Sequence, residues 1–158
     1  MTQLADKPGA AESPGARRPA PSAAIEPTAQ TGLRTEEDLL TVRHAVRAAT
    51  LKIGFGIVDQ TRVVTAASEL ARNAYIHGGG GSLSIEYLRQ GDMRGVRLTV
   101  RDDGPGIPDL DAALTDGFTT GTGLGHGLGG ARRLMDKFEV HSIPGHGTTV
   151  IATRWARQ

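Results

Sequence analysis

The chain has 158 residues and no cysteine, and its 18 basic and 17 acidic side chains give a net charge of +1. This length suits a single core-bearing domain, the lack of cysteine excludes disulfides and cysteine-based zinc sites, and balanced charge with 4% aromatic residues predicts no nucleic-acid partner. Because no apolar run could span a bilayer and no signal peptide is present, we expect a cytoplasmic protein without membrane contacts.

Residues 1–30 are rich in proline and poor in large aliphatic side chains. Five of the eight prolines fall in this segment, and Leu4 and Ile25 are its only large aliphatics. Such a composition buries too little apolar surface to offset the entropy lost on ordering. We therefore predict a disordered tail over residues 1–30 and one folded domain over residues 31–158.

Two amphipathic helices are predicted after the tail. Thr35 followed by three acidic residues is typical of a helix N-cap, and apolar residues then recur at helical spacing as far as residue 53. A second helix, capped by Asp59, has an apolar face and ends in the glycine run at 78–81.

The remainder of the chain alternates between strands, loops and short helices. Alternating residues around 83–87 and 96–100 predict a β-hairpin, and a final strand pair is expected over 138–142 and 149–155. Short helices are expected over 109–114 and 128–137. This order predicts an α+β two-layer sandwich, in which helices cover one face of a mixed sheet.

A glycine-rich loop precedes the last predicted helix. Seven of the 22 glycines lie between Gly117 and Gly130, and glycine is the most costly residue to order. Backbone N–H groups in a loop that opens into a helix form an anion site, so a phosphate chain is the expected ligand. Taken alone, the cluster fits a mobile surface loop equally well.

Glu69 and Asn73 form a polar pair on the second predicted helix. They are four residues apart and therefore project from one face. A carboxylate and a carboxamide placed in this way could serve a reacting hydroxyl and a hard cation such as Mg²⁺. By itself, a solvated helix face is the simpler explanation, as simple surface charge is for the neighbouring Arg72.

Four motifs taken in order resemble the GHKL ATP-binding fold, also called the Bergerat fold, of gyrase, Hsp90, histidine kinases and MutL. The motifs are E-x-x-x-N (Glu69, Asn73), D-x-G-x-G (Asp102, Gly104, Gly106), G-x-G-L-G (Gly121, Gly123, Leu124, Gly125) and G-T (Gly147, Thr148). More narrowly, residues 54–81 and 116–140 are similar to RsbT-type serine/threonine kinases. These kinases act in stressosome and anti-sigma-factor partner switching.

The resemblance implies how the base of ATP is bound. Asp102 would accept a hydrogen bond from the adenine amino group, which distinguishes adenine from guanine. Gly104 and Gly106 would let the backbone approach the base, and the hydroxyl of Thr148 would support this site.

The resemblance also implies the residues that handle Mg²⁺ and the phosphates. Asn73 would ligate Mg²⁺, and Glu69 would be the general base that takes the proton of the substrate hydroxyl. The loop over residues 119–130 would close over the phosphates. Its expected contacts are Thr119, Thr120, Gly121, Thr122, Gly123, Leu124, Gly125, His126, Gly127 and Leu128.

The expected substrate is a serine or threonine on a STAS-domain antagonist protein, and a PP2C-type phosphatase is a further expected partner. The alternative is an RsbW-like anti-sigma factor, which would sequester a sigma factor and phosphorylate its antagonist. A third alternative is a module that binds ATP and acts only by docking. The presence of Glu69 counts against that third alternative.

Overall fold

The computed structural model describes residues 24–114 and 127–157. Their elements in chain order are β1 (Ala24–Leu33), α1 (Glu36–Lys52), α2 (Ile57–Ile76), β2 (Gly81–Gln90), β3 (Met93–Asp102), α3 (Leu110–Ala113), α4 (Gly127–Arg133), β4 (Lys137–Ser142) and β5 (Thr148–Trp155). None of the helices in these two ranges combines the length and apolarity needed to cross a membrane.

The five strands form one sheet in the order β1-β2-β3-β5-β4. All four strand pairings are antiparallel, so the expectation of a mixed sheet is wrong in this detail. For two of the pairings the reason is local, because β2–β3 and β4–β5 are joined by short turns, and strands joined in this way run in opposite directions. The helices pack on one face, which confirms the two-layer α+β sandwich.

The core lies between this sheet face and the helices. Alternate residues of β3 point into it, and the intervening residues face away. Most of the core side chains are aliphatic and fully buried, and they include Val42, Val46, Val63, Leu70, Leu83, Ile85, Val96, Leu98 and Ala152. Helix α2 contributes buried side chains to this core along most of its length. The position of the helix relative to the sheet is therefore fixed, and so are the positions from which its other side chains project.

Strand β1 begins within the segment that was predicted to be disordered. It pairs with β2 from Ala24 to Leu33, with a register shift between Pro27 and Ala29. Proline has no N–H to donate to a neighbouring strand. A sheet tolerates proline at a register shift on an edge strand, as here. Leu33 is fully buried. The boundary of the folded domain therefore lies at or before residue 24, while the prediction for residues 1–23 falls outside the described residues.

The first turns of α1 and α2 differ in how they are capped. Thr35 caps α1 as predicted, because its side chain accepts a hydrogen bond from the N–H of Asp38 while Asp38 bonds back to the N–H of Thr35. The cap predicted for α2 is wrong, since that helix begins after Gly56. Asp59 lies in its first turn, where its Oδ1 is 2.6 Å from the guanidinium of Arg154.

Helix α4 is shorter than predicted. It was expected to extend to residue 137, but it ends at Arg133, and β4 begins at Lys137. The chain is redirected into the sheet at Asp136, whose N–H donates to the carbonyl of Thr153 at 2.8 Å. This sheet contact replaces the hydrogen bond that a longer helix would have made. The final strand pair, in contrast, is present where the sequence predicted it.

Candidate functional site

A cleft of about 480 Å³ lies beside α2. It is bounded by the end of β3, the start of β5, the loop over residues 105–109 and the first residues of α4. Seven of the predicted site residues line it together: Glu69, Asn73, Asp102, Gly106, Gly127, Leu128 and Thr148. Its apolar walls include Leu70, Val100, Ile107 and Val150, which suits the flat apolar faces of a nucleotide base.

The carboxylate of Asp102 stands at one end of this cleft, where β3 ends. Its Oδ1 accepts a hydrogen bond from the N–H of Gly104 at 2.9 Å. Burial raises the pKa of Asp102 above its usual value, although the backbone N–H groups of Gly104 and Thr148 act in the opposite direction. Oδ1 is thus held by the backbone, and because each carboxylate oxygen can accept more than one hydrogen bond, the group keeps acceptor capacity for a ligand.

Gly78 supports Asp102 from the end of α2, and sequence reasoning missed this role. A Cβ atom at Gly78 would overlap the side chain of Asp102, and one at Gly104 would lie 2.6 Å from the Cα of Gly78. Only glycine at both positions lets the three residues pack this closely. The glycine run at 78–81 was interpreted only as the end of the second helix. Nothing in the local sequence indicates that Gly78 contacts Asp102.

Ser142 is a second residue that sequence reasoning missed. Its Oγ accepts a hydrogen bond from the N–H of Ile107 at 2.7 Å and lies 3.0 Å from Oγ1 of Thr148. Nearby, Gly106 has φ of +81°, a conformation in which glycine is favoured. These contacts fasten the loop after Asp102 to the start of β5. The hydroxyl of Thr148, which was predicted to support the base site, is hydrogen-bonded to the hydroxyl of Ser142.

Glu69 and Asn73 lie on the stretch of α2 that lines the cleft. Both are half-buried. With a helical rise of about 1.5 Å per residue, Asn73 is about 8 Å and Glu69 about 14 Å from the Gly78 end of the helix. The three polar groups therefore occur in the order Asp102, Asn73, Glu69 along the cleft. The predicted pair does share one face, as its spacing requires.

The glycine-rich loop is described only at its C-terminal end. Gly127 and Leu128 begin α4 and line the cleft, and Leu128 is buried. The remaining predicted phosphate contacts lie outside the described residues: Thr119, Thr120, Gly121, Thr122, Gly123, Leu124, Gly125 and His126. The predicted role of this loop stays a prediction.

Comparison with known families assigns the chain to a class. The family of histidine kinase-, DNA gyrase B-, and HSP90-like ATPases matches residues 58–157, which is more than half of the chain. The chain therefore belongs to this family, and the predicted GHKL resemblance is confirmed. All of the cleft-lining residues fall within the matched segment. Since the members are ATPases, membership of the family implies that the chain binds ATP.

Individual relatives narrow the class further. The chain is 44% identical to the serine/threonine-protein kinase RsbT of Bacillus subtilis over 125 residues, which are 79% of this chain and 94% of that kinase. It is 38% identical to an anti-sigma F factor of Bacillus licheniformis over 103 residues, or 61% of this chain and 69% of that factor. The predicted similarity to RsbT-type kinases is thus confirmed.

A solved structure agrees with this assignment. The crystal structure of the RsbU and RsbW domains of a Mycobacterium tuberculosis protein superposes with a TM-score of 0.56 and 25% identity over 83% of this chain. The matched region is 34% of that longer chain. The likeness therefore concerns the shared domain and says nothing about the rest of the larger protein.

Proposed function

We propose that this protein is an ATP- and Mg²⁺-dependent serine/threonine kinase that phosphorylates a STAS-domain protein in a partner-switching pathway. The observation that carries the proposal is the order of Asp102, Asn73 and Glu69 along one cleft. A base-binding carboxylate, an oxygen ligand for a cation and a candidate general base follow one another in the order that ATP and an attacking hydroxyl require. Similarity over 94% of RsbT supports the same activity.

Asp102 and the apolar walls bind the adenine in this proposal. A carboxylate accepts from the amino group of adenine but would face the carbonyl oxygen of guanine, so it selects ATP over GTP. Val100 and Val150 are buried and supply apolar surface. The residues of this chain therefore fit a purine base that carries an exocyclic donor.

Asn73 and Glu69 serve the phosphoryl transfer. Mg²⁺ usually takes one or two protein oxygens together with substrate phosphates, and the side-chain oxygen of Asn73 suits that coordination. Bound ATP supplies the γ-phosphoryl group, whose phosphorus bonds to the substrate hydroxyl oxygen as its bond to the departing ADP breaks. Glu69 takes the proton released by that hydroxyl, which makes the oxygen a better nucleophile.

A second candidate function is an anti-sigma factor that also phosphorylates its antagonist. The similarity to anti-sigma F factors favours this candidate, but the chain spans less of those relatives than of RsbT. Affinity purification from the native cell separates the two. A co-purifying STAS-domain scaffold or PP2C-type phosphatase supports the kinase, whereas a co-purifying sigma factor supports the alternative.

Replacement of Glu69 tests the proposed chemistry. We expect Glu69→Ala to retain ATP·Mg²⁺ and partner binding but to lower the rate of partner phosphorylation by roughly 10²-fold to 10⁴-fold, because general-base catalysis acts on the transition state. Calorimetry and phosphate incorporation measure the two properties. Glu37→Ala, on the exposed side of α1, is the matched control. Near wild-type phosphorylation by Glu69→Ala would remove Glu69 from the mechanism.

A further inference from the structure

Arg72 lies among the proposed catalytic groups on α2. It is exposed, and it lines the same cleft as Glu69 and Asn73. Arg97 and Arg154 each form an ion pair with a carboxylate, whereas Arg72 has no such pair within the described parts of the chain. From the sequence alone, this residue is one of several basic candidates for a phosphate or partner contact, with surface charge as the simpler account.

The position of Arg72 along the helix indicates what it contacts. Along the helix axis it lies about 9 Å from the Gly78 end at the usual rise, at a height between Asn73 and Glu69, and it is rotated about 60° from Glu69 around the helix. If Asn73 holds the cation and Glu69 receives the hydroxyl proton, the phosphoryl group in transit must lie between these two side chains. Because Arg72 lines the same cleft at this height, its long side chain is within reach of that group, on which negative charge is concentrated.

We propose that Arg72 contacts the γ-phosphoryl group of ATP and stabilises its charge during transfer, an inference that rests on the proposed kinase function. Arginine suits this role because its planar guanidinium can donate two hydrogen bonds to one phosphate and always carries its charge. Phosphoryl transfer depends mainly on such electrostatic stabilisation. Arg72 thereby distinguishes ATP from ADP, since ADP lacks the group that it contacts.

Nucleotide binding by purified full-length protein tests the proposal without reference to activity. Calorimetry with ATP and with ADP, both in Mg²⁺, gives an ATP-to-ADP affinity ratio for each variant. We expect Arg72→Gln to lower this ratio by about tenfold relative to wild type, as the loss of a charge-assisted contact implies. Arg72→Lys should recover part of the loss. Arg43→Gln, an equal change of charge on the exposed side of α1, should leave the ratio unchanged.

The outcomes separate this proposal from the function on which it rests. A wild-type protein that binds no ATP would overturn both. Wild-type ATP binding with an unchanged ratio in Arg72→Gln would overturn the role of Arg72 alone, as would equal weakening of ATP and ADP. Because the ratio compares two ligands on one preparation, partial misfolding of a variant does not imitate the expected result. A selective loss of ATP affinity supports the contact.

Discussion

The two ends of the cleft are built in different ways. At the end proposed to bind the base, which we call the base end, Asp102 is held by the N–H of Gly104. Ser142 joins the loop that follows Asp102 to Thr148. At the other end, the side chains of Glu69 and Asn73 form no hydrogen bond or ion pair with other residues in the described parts of the chain. One end already has protein partners for its polar groups, and the other presents them to the cleft.

This difference fits what the proposed function requires each end to bind. A purine base is rigid and neutral, so a carboxylate held in advance by backbone donors recognises it with little loss of conformational entropy. A phosphate chain, a cation and a partner hydroxyl arrive with charges and donors of their own. Side chains without partners in the protein can satisfy those groups, and α2 fixes their order along the cleft.

Replacing Asp102 by asparagine should have the largest effect on nucleotide binding. The Oδ1 of the new carboxamide can still accept from the N–H of Gly104, so its NH₂ group takes the place of Oδ2 and opposes the adenine amino group. Loss of a charge-assisted hydrogen bond implies an ATP affinity lower by about 100-fold, measured by calorimetry. The fold should be retained.

The neighbouring Asp103 provides the control for this change. It is exposed and does not line the cleft, so Asp103→Asn should bind ATP like the wild type. If both variants bind ATP equally well, Asp102 does not recognise adenine, and the contrast between the two ends loses its basis.

The sequence predicted the parts of the molecule that depend on local patterns. The capping residues around Thr35 and the alternation in β2 and β3 are such patterns, and the structure contains both. The family motif also names Asp102, and the structure places it in the cleft, while its contact with adenine stays a prediction. In contrast, the role of Ser142 depends on a contact with Ile107, 35 positions away in sequence. Strand β1 was missed for the same reason, since its pairing partner is distant in sequence.

Replacing Asn73 tests whether the far end depends on a cation. If the side-chain oxygen ligates Mg²⁺, Asn73→Ala should weaken ATP binding roughly tenfold in Mg²⁺, the size of effect seen when a metal site loses an oriented group. In EDTA the variant and the wild type should differ little, because no cation bridges Asn73 to the phosphates. Calorimetry under both conditions measures this. An equal loss under both conditions would show that Asn73 contacts the nucleotide without a metal.

Removal of the Ser142 hydroxyl should have a smaller effect. It should lower both the stability of the protein and its affinity for ATP. The N–H of Ile107 would lose its acceptor, which costs about 1–3 kcal/mol when the donor is buried. We expect Ser142→Ala to melt a few degrees lower and to bind ATP several-fold more weakly. Ser68→Ala removes a hydroxyl that only donates to the carbonyl of Val64 inside α2, so as a control it should lower neither the melting temperature nor the ATP affinity. Unchanged ATP affinity in Ser142→Ala would mean that this loop does not shape the base site.

The smallest effect concerns the stability of the protein without nucleotide. Burial raises the pKa of Asp102 above 3.8, so the folded state binds this proton more tightly than the unfolded chain does. The free energy of unfolding therefore decreases as pH rises from 3.8 through the raised pKa, and the loss is constant at higher pH. Asp102→Asn cannot ionise, so its stability relative to wild type should increase over this interval. Urea unfolding from about pH 4 to about pH 7 measures the difference, with Asp92→Asn in the exposed β2–β3 turn as the control. A difference that does not vary with pH would show that the charged carboxylate is not destabilising. The expected increase would show that ionised Asp102 lowers the stability of the nucleotide-free protein.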